Sequence, residues 1–511
     1  MPLPSAPSLS AADGHPHRQF GDVFFRLSKK QHSMKKTLFK RVQQKLARSG
    51  VAISRVNGNT LSVSSLNSAG LGASILLPES FPIEEKAVLQ LLDFAGVSHP
   101  EGGEVRCACA TPDFHAGSGI PVGSVIVTSP DMVIPQSIGT DINCGMRLHR
   151  LGIHYDAFLA RKAEWVERVR GDLLGGTRNI PTAPGDMTAL FAGGLGDFWS
   201  AVGRRSNRDG ILARLDLEQV TRELAGLHPS SFARGEAAYA PEALQNTGRA
   251  VLRDPGLGTI GGGNHFVEVQ VVTELVDRRA CFERGLSVGQ VVVMIHTGSR
   301  DVGFHVGRRW MDKARELWPK GMKHPESKVF ALVGEMAGQY LLAMHSAAHY
   351  ADANRALIAE MVRQRTRELF GPDTEAPLLV DVPHNIVLQE AVGNVHRKGA
   401  TPAYAGQDLL IPGSMGHDSY LLTGLGNERW LSSASHGAGR SMSRSEILFK
   451  GRKDPGILGL ERVQCITTRE ERLIEEAPGA YKEIGDVVRS QVEEETVAVI
   501  ARFSPVLTFK A

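Results

Sequence analysis

Glycine occupies 55 of the 511 positions, and where it clusters the chain also places His, Cys, Asp or Asn. A chain this rich in the residue without a Cβ is built from tight turns and close backbone approaches, which a simple helical bundle does not need. At this length it can fill one large core or two ordinary ones. Apolar residues at 42% and charged residues at 22% are ordinary for a water-soluble globular protein.

The formal net charge of +3 is too small to announce a nucleic-acid partner. Five cysteines, Cys107, Cys109, Cys144, Cys281 and Cys465, are too sparse and odd in number for a disulfide framework, so a reducing compartment is expected. No run approaches the roughly 18 apolar residues of a membrane span, and the first twenty residues lack the apolar core of a secretory signal. These features predict a cytoplasmic protein without a membrane partner.

Residues 1–25, rich in Pro, Ser, His and Gly, predict a disordered tail. Nine Lys and Arg and no acidic residue lie between Arg26 and Arg48. Met34, Leu38, Val42 and Leu46 recur every four residues there, the stripe of a basic helix docked on the main body. RNA-backbone contact and organellar targeting are the alternatives. Further on, Gly123–Val127, His265–Val272, Val291–Ile295 and Pro377–Val382 read as strands, and Met132–Ile138 is strand-like. Asp156–Arg170, Lys328–Phe370 and Tyr481–Ala501 read as helices. Strands not regularly separated by helices favour an α+β fold over a doubly wound sheet. Residues 171–249 read as an excursion from the core, not as a separate domain.

Five segments carry chemistry. Thr111-Pro-Asp-Phe-His115 is followed by Asp141-Ile-Asn-Cys144-Gly, where an Asp and a Cys three apart can face one centre and a thiolate can bind one metal or bridge two. A buried structural Cys is the bland alternative. Gly261-Gly-Gly-Asn264-His265 offers backbone donors for phosphate plus a ligand or base. Gly256, Gly258 and Gly261 match G-x-G-x-x-G formally, but a strand pattern follows where the dinucleotide fingerprint needs a helix. His296, before Thr-Gly-Ser-Arg300, and His384, before Asn385, both end strand-like runs. With His265 they make three histidines in similar settings, which argues for metal ligation over three unrelated hydrogen-bonding rings. Last come Pro412-Gly-Ser414-Met415-Gly and Ser435-His436-Gly-Ala-Gly-Arg440, with Arg444 beyond. Small neighbours let a large anion reach the His436 ring, and the arginines can stabilise phosphate charge, which suits a nucleophile. A Gly-rich helix start with solvent-facing arginines is the competing reading. Two decoys stand aside: His345 and His349 lie i, i+4 on a helix that packing alone explains, and Cys107/Cys109 lack a second pair.

Taken in order, Pro-Asp-Phe-His, Asp-Ile-Asn-Cys-Gly, Gly-Asn-His-Phe-Val-Glu, His-Thr-Gly-Ser-Arg, Pro-His-Asn, Pro-Gly-Ser-Met-Gly and Ser-His-Gly-Ala-Gly-Arg resemble the RtcB family of RNA-splicing ligases, over roughly Ile83 to Lys510. The resemblance implies a single large catalytic domain of mixed sheets flanked by helices over 82–511, after a basic extension over 26–81. It implies that Asp141, Cys144, His265, His296 and His384 hold two Mn²⁺, with Cys144 bridging. It makes His436 the nucleophile that takes GMP from GTP, oriented by Asp113. Asn264, His265, Phe266 and Glu268, Pro412, Gly413, Ser414, Met415 and Ser419, and His436, Gly437, Ala438, Gly439 and Arg440 match the guanylate-binding stretches, with Tyr481 and Lys510 at the guanine. The implied reaction joins RNA 2′,3′-cyclic phosphate or 3′-phosphate ends to 5′-hydroxyl ends, in tRNA splicing or repair, with an archease-like activator as a possible partner. Donor chemistry alone points first to zinc; manganese comes only from the resemblance. Asp301 departs from the family, which commonly carries Gly there. The runner-up is a metal phosphodiesterase that opens cyclic phosphates without joining ends, and a third reading is a noncatalytic RNA-binding protein.

Overall fold

The computed structural model describes residues 37–511 apart from 69, 247 and 462; the expectations for residues 1–25, and for the basic stretch as far as residue 36 with Met34, lie outside the described residues. A helix runs over residues 37–48. Leu46 is buried at 1% exposure and Val42 is partly covered, but Leu38 stays 59% exposed, so the apolar stripe docks only at its C-terminal end.

Two mixed sheets form the frame. The first has seven strands in the order Val51–Arg55, Thr60–Ser65, Gly72–Leu76, Val105–His115, Val122–Thr128, Gly393–Lys398 and Asn385–Glu390. Its first three strands precede residue 82, so the described part of the N-terminal region shares one sheet with the chain that follows. The second runs Leu378–Pro383, Gly145–His154, Gln290–Thr297, Phe266–Leu275, Val497–Lys510, Ser419–Gly424 and Asp408–Ile411, with Cys465–Thr467 added in parallel to Val497–Lys510. Gln290–Thr297 is buried at every position, as expected of an apolar run with a strand on each side and both faces covered. The fold is α+β, as the sequence predicts.

The helix Gly334–Phe370 is unbroken and buried nearly all round from Ala343 to Gln364. Residues 184–203 pack against it, placing Met187, Phe191, Phe198 and Trp199 in the same core cluster. The excursion over 171–249 is therefore part of the main body. Buried charge on the long helix is matched: Arg355 meets Asp352 and Asp381, and Arg363 meets Glu360 and Glu223.

Three expected elements differ. The long helix begins at Gly334 because Leu332–Val333 pairs instead with Met132–Val133. Met132–Ile138 yields only those two strand residues before Pro135 starts a 3-10 turn. The predicted helix Tyr481–Ala501 is a helix only over Ile484–Glu493; Glu495 then turns left-handed and Val497–Lys510 is a strand. The β-branched and aromatic run after Val497 finds partners on both sides, in Phe266–Leu275 and Ser419–Gly424, and tertiary pairing overrides the local periodicity.

Candidate active site

Four adjacent strands bring the ligand candidates to one sheet end. Met146 and Phe266 both lie opposite His296, and Gly145 lies opposite Thr297 and Pro383. Cys144, His265 and His384 are each one residue beyond this register, so four side chains meet at one edge. His384 is also the single residue between Leu378–Pro383 of the second sheet and Asn385–Glu390 of the first, which brings the first sheet's Asp113 into reach. Asn143 adopts a left-handed backbone (φ 55°), which Asn tolerates better than most residues. Its amide donates to Ala348 O and Asp352 Oδ1, both at 2.8 Å, pinning the Cys144 turn to the long helix. Arg355 donates to Asn143 O (2.7 Å) and Thr297 O (3.1 Å), so one guanidinium steadies the neighbours of two ligands.

The ligand atoms form a chain: Asp141 Oδ2 to His265 Nε2 2.8 Å, His265 Nε2 to Cys144 Sγ 3.3 Å, Cys144 Sγ to His296 Nε2 3.2 Å, and His296 Nε2 to His384 Nε2 3.2 Å. Groups ligating one ion at about 2.0–2.3 Å stand about 3–3.7 Å apart, so the three spacings from His265 through Cys144 and His296 to His384 fit the edges of a coordination shell, while Asp141 and His265 stand at direct hydrogen-bond distance. Cys144 sits mid-chain, common to an Asp141/His265 half and a His296/His384 half. Among the described residues Nδ1 of His384 is buried without a hydrogen-bond partner. Burial, and then the Asp141 carboxylate, push the Cys144 thiol well above its usual range. Burial and neighbouring rings hold His296 and His384 well below theirs. Burial would raise Asp141, but the His265 ring and Arg300 outweigh it and hold the carboxyl low. A buried cation would favour the thiolate and suit the neutral rings. The residues fit a metal. Gly298 is obligatory here: a Cβ would stand 2.2 Å from Asp141 Oδ1.

His436 follows the short strand Ser433–Ser435. Its Nδ1 is 2.5 Å from Asp113 Oδ2, its backbone N–H reaches the same oxygen at 3.2 Å, and its ring centroid lies 4.7 Å from that of His384. Burial would raise Asp113, but the His436 ring, the Thr111 hydroxyl (2.5 Å) and the Lys482 ammonium outweigh it and hold the carboxyl low. Because the carboxylate accepts, Nδ1 carries the proton and Nε2 keeps its lone pair. Gly439, at φ 71°, passes so close that a Cβ would stand 2.2 Å from Asp113 O.

A cavity of about 240 Å³ joins the two features. Asn264, Phe266, Glu268, Pro412 to Met415, His436 to Arg440, Tyr481 and Lys510 all line it, together with His296. Ser419 and His265 stand behind the wall: Ser419 Oγ accepts from Gln270 (2.9 Å) and Gly413 N (3.2 Å). Burial raises Glu268 to about 7, with Thr508, Gln270 and Lys510 offsetting part of the effect. Lys510 Nζ donates to His265 O at 3.0 Å.

Sequence reasoning missed Lys482, whose Nζ donates to Pro112 O (2.8 Å) and Phe114 O (2.6 Å) and so fixes the backbone around Asp113. It also missed Glu476, which pairs with Arg440, Arg444 and Tyr481. Adjacency to Tyr481 was the only signal for Lys482. Asp301 is exposed in the first helical turn after the His296 segment. Of the decoys, His349 has Nε2 2.9 Å from Ala233 O, to which it can donate, and all five cysteines are free.

A family model described as tRNA-splicing ligase RtcB matches residues 95–511. The chain belongs to the RtcB family. Among similar RtcB proteins, the tRNA-splicing ligase RtcB of Thermococcus kodakarensis is 34% identical over 79% of this chain and 87% of its own length. The RNA-splicing ligase RtcB of Mycobacterium tuberculosis is 33% identical over 79% and 96%. The tRNA-splicing ligase RtcB of Pyrobaculum aerophilum is 31% identical over 79% and 87%. The RtcB match begins inside the first sheet's supporting helix Glu85–Ala95, so the strands over 51–76 precede it. Among the described residues no helix is long and apolar enough to cross a membrane.

Proposed function

We propose that this chain joins RNA ends bearing a 2′,3′-cyclic phosphate or 3′-phosphate to 5′-hydroxyl ends, through GMP carried on His436. RNA joining rests on family membership. The histidine route rests on one observation: His436, clamped by Asp113 at 2.5 Å, faces a nucleotide-sized cavity beside the Cys/His cluster.

Nε2 of His436 attacks the α-phosphorus of GTP and pyrophosphate leaves. No proton has to move, because the only ring proton sits on Nδ1 and is held by Asp113. A cyclic phosphate end first takes up water, which breaks the bond from phosphorus to the 2′-oxygen and leaves a 3′-phosphate; the new P–N bond then breaks as the RNA 3′-phosphate takes GMP, giving RNA-3′-pp-G. The 5′-hydroxyl displaces GMP. A bare 3′-phosphate is a poor electrophile because its leaving oxygens are strongly basic; GMP is the better leaving group. Asp141, Cys144 and His265 would hold one Mn²⁺, and Cys144, His296 and His384 a second. When bound, these ions supply charge neutralisation at the phosphates. Glu268 offers a buried acceptor to the ring N–H and amino group of guanine, Tyr481 and Lys510 border the base, and Arg440 and Arg444 supply positive charge.

Incubation with α-labelled GTP and Mn²⁺ tests this. Label is retained by the wild type through a bond lost in acid and stable in alkali, and is absent in His436→Ala. Labelled RNA halves give a longer product only with GTP. A phosphodiesterase that never joins ends would open cyclic phosphates in His436→Ala as in wild type and give no longer RNA in either, and that result sinks the reading.

A further inference from the structure

The motif Thr111-Pro-Asp-Phe-His115 ends in a histidine to which the ligase reading gives no task. His115 lines the same cavity as His436. Its Nδ1 lies 2.8 Å from Asp113 O, and because a carbonyl can only accept, Nδ1 is the donor. In the neutral ring Nε2 then carries the lone pair. No protein group among the described residues bonds that nitrogen, and it is not among the sealed, unpartnered polar atoms, so it is accessible in a ring that lines the cavity. The backbone beneath is held rigid by Lys482 on Pro112 O and Phe114 O. Burial, then the nearby Lys482 and His436, lower the ring to about 4 against the favourable Asp113 carbonyl, so it is unprotonated at neutral pH.

Every other titratable group on the cavity wall already has a partner or, in the Nε2 of His436, the task of carrying GMP. His436 is clamped by Asp113, and His296 belongs to the ligand chain. Glu268 accepts from Gln270 at 2.6 Å and from Thr508. Glu476 accepts from Arg440, Arg444 and Tyr481. Lys510 is spent on His265 O. Guanylylation and GMP transfer need no base, since neither nucleophile there loses a proton. The joining step does: an alcohol attacks.

We infer that His115 is the general base of the joining step, its Nε2 taking the proton of the RNA 5′-hydroxyl. The bond between the 5′-oxygen and the RNA 3′-phosphorus forms, the bond from that phosphorus to GMP breaks, and the proton passes to His115, which releases it to solvent. This rests on the ligase reading above. General bases of this kind contribute about 10²–10⁴-fold.

The test compares RNA ends carrying a 5′-hydroxyl or a 5′-thiol, whose proton leaves near pH 8.5 without help. His115→Asn keeps an amide to donate to Asp113 O but offers no base. The expected result is joining of the hydroxyl end slowed at least about 100-fold, with RNA-3′-pp-G accumulating, and joining of the thiol end slowed less than about tenfold relative to wild type. His115→Gln repeats the comparison, so a folding defect peculiar to one replacement does not decide it. Equal slowing on both ends marks a structural role and overturns the inference, as does unslowed joining of the hydroxyl end. If the wild type itself shows no GTP-dependent joining, the ligase reading falls and takes this inference with it; if the wild type joins and the variants behave alike on both ends, only the role of His115 falls.

Discussion

On the proposed function, Glu268 couples nucleotide binding to pH. Its folded value of about 7 lies above the usual 4.5 because the carboxyl is buried. Between these values the folded chain retains a proton that the unfolded chain has released, so this group's contribution to folding declines as pH rises through that window. In the proposed pocket guanine needs the carboxylate as acceptor, so binding displaces the proton. GTP affinity, read by calorimetry, is therefore expected to rise about tenfold per pH unit below 7 and to level off above it. Glu268→Gln should bind about 10–100-fold more weakly at pH 8 and show no such slope. A wild-type affinity flat from pH 6 to 8 would remove Glu268 from base recognition. Position 268 was legible in the sequence through its motif, but the burial that sets its titration was not, since Thr508 and Lys510 come from some 240 residues away.

At the scale of elements, the long helix does for the ligand turns what no local feature does. Arg355 is fully buried and ties Asn143 O, Thr297 O, Asp352 and Asp381 together. Arg355→Met leaves two buried carboxylates and two carbonyls short of a donor, a loss of about 3–5 kcal/mol. Chemical denaturation should show that loss, and manganese titration should show weakened binding, although residue 355 ligates nothing. Unchanged metal affinity would mean the turns hold themselves. The sequence announced this helix by its length and apolar content yet gave no hint of the charge buried on it, because ion-pair partners from other strands are invisible to periodicity. Local pattern also failed from Val497 to Ala501, where the end of an expected helix became the start of a central strand. It succeeded at Gln290–Thr297, whose continuous apolar run admits few alternatives.

For the molecule as a whole, the site draws on segments from Asp113 to Lys510, and motif order made its members readable long before their geometry. What stayed hidden was the joint between the sheets at His384, since nothing in Val-Pro-His-Asn says that the flanking strands part company. Chelation should lower the thermal unfolding temperature, because ligand at about 100 times its dissociation constant stabilises by about 2.7 kcal/mol. Restoring Mn²⁺ should reverse the shift in wild type and not in Cys144→Ala. A transition unmoved by chelator would mean that the protein does not retain an ion.

His384 is the single residue between a strand of one sheet and a strand of the other, and it is also the outermost nitrogen of the donor chain. Ion capture at that ring would act as a rivet through two plates. Sliding of one plate over the other would strain a coordinate bond, and loosening of the rivet would free the plates to shear. Metal content and the registration of the two sheets are then one variable, so loss of an ion at that ring would be felt as far away as the sheets extend.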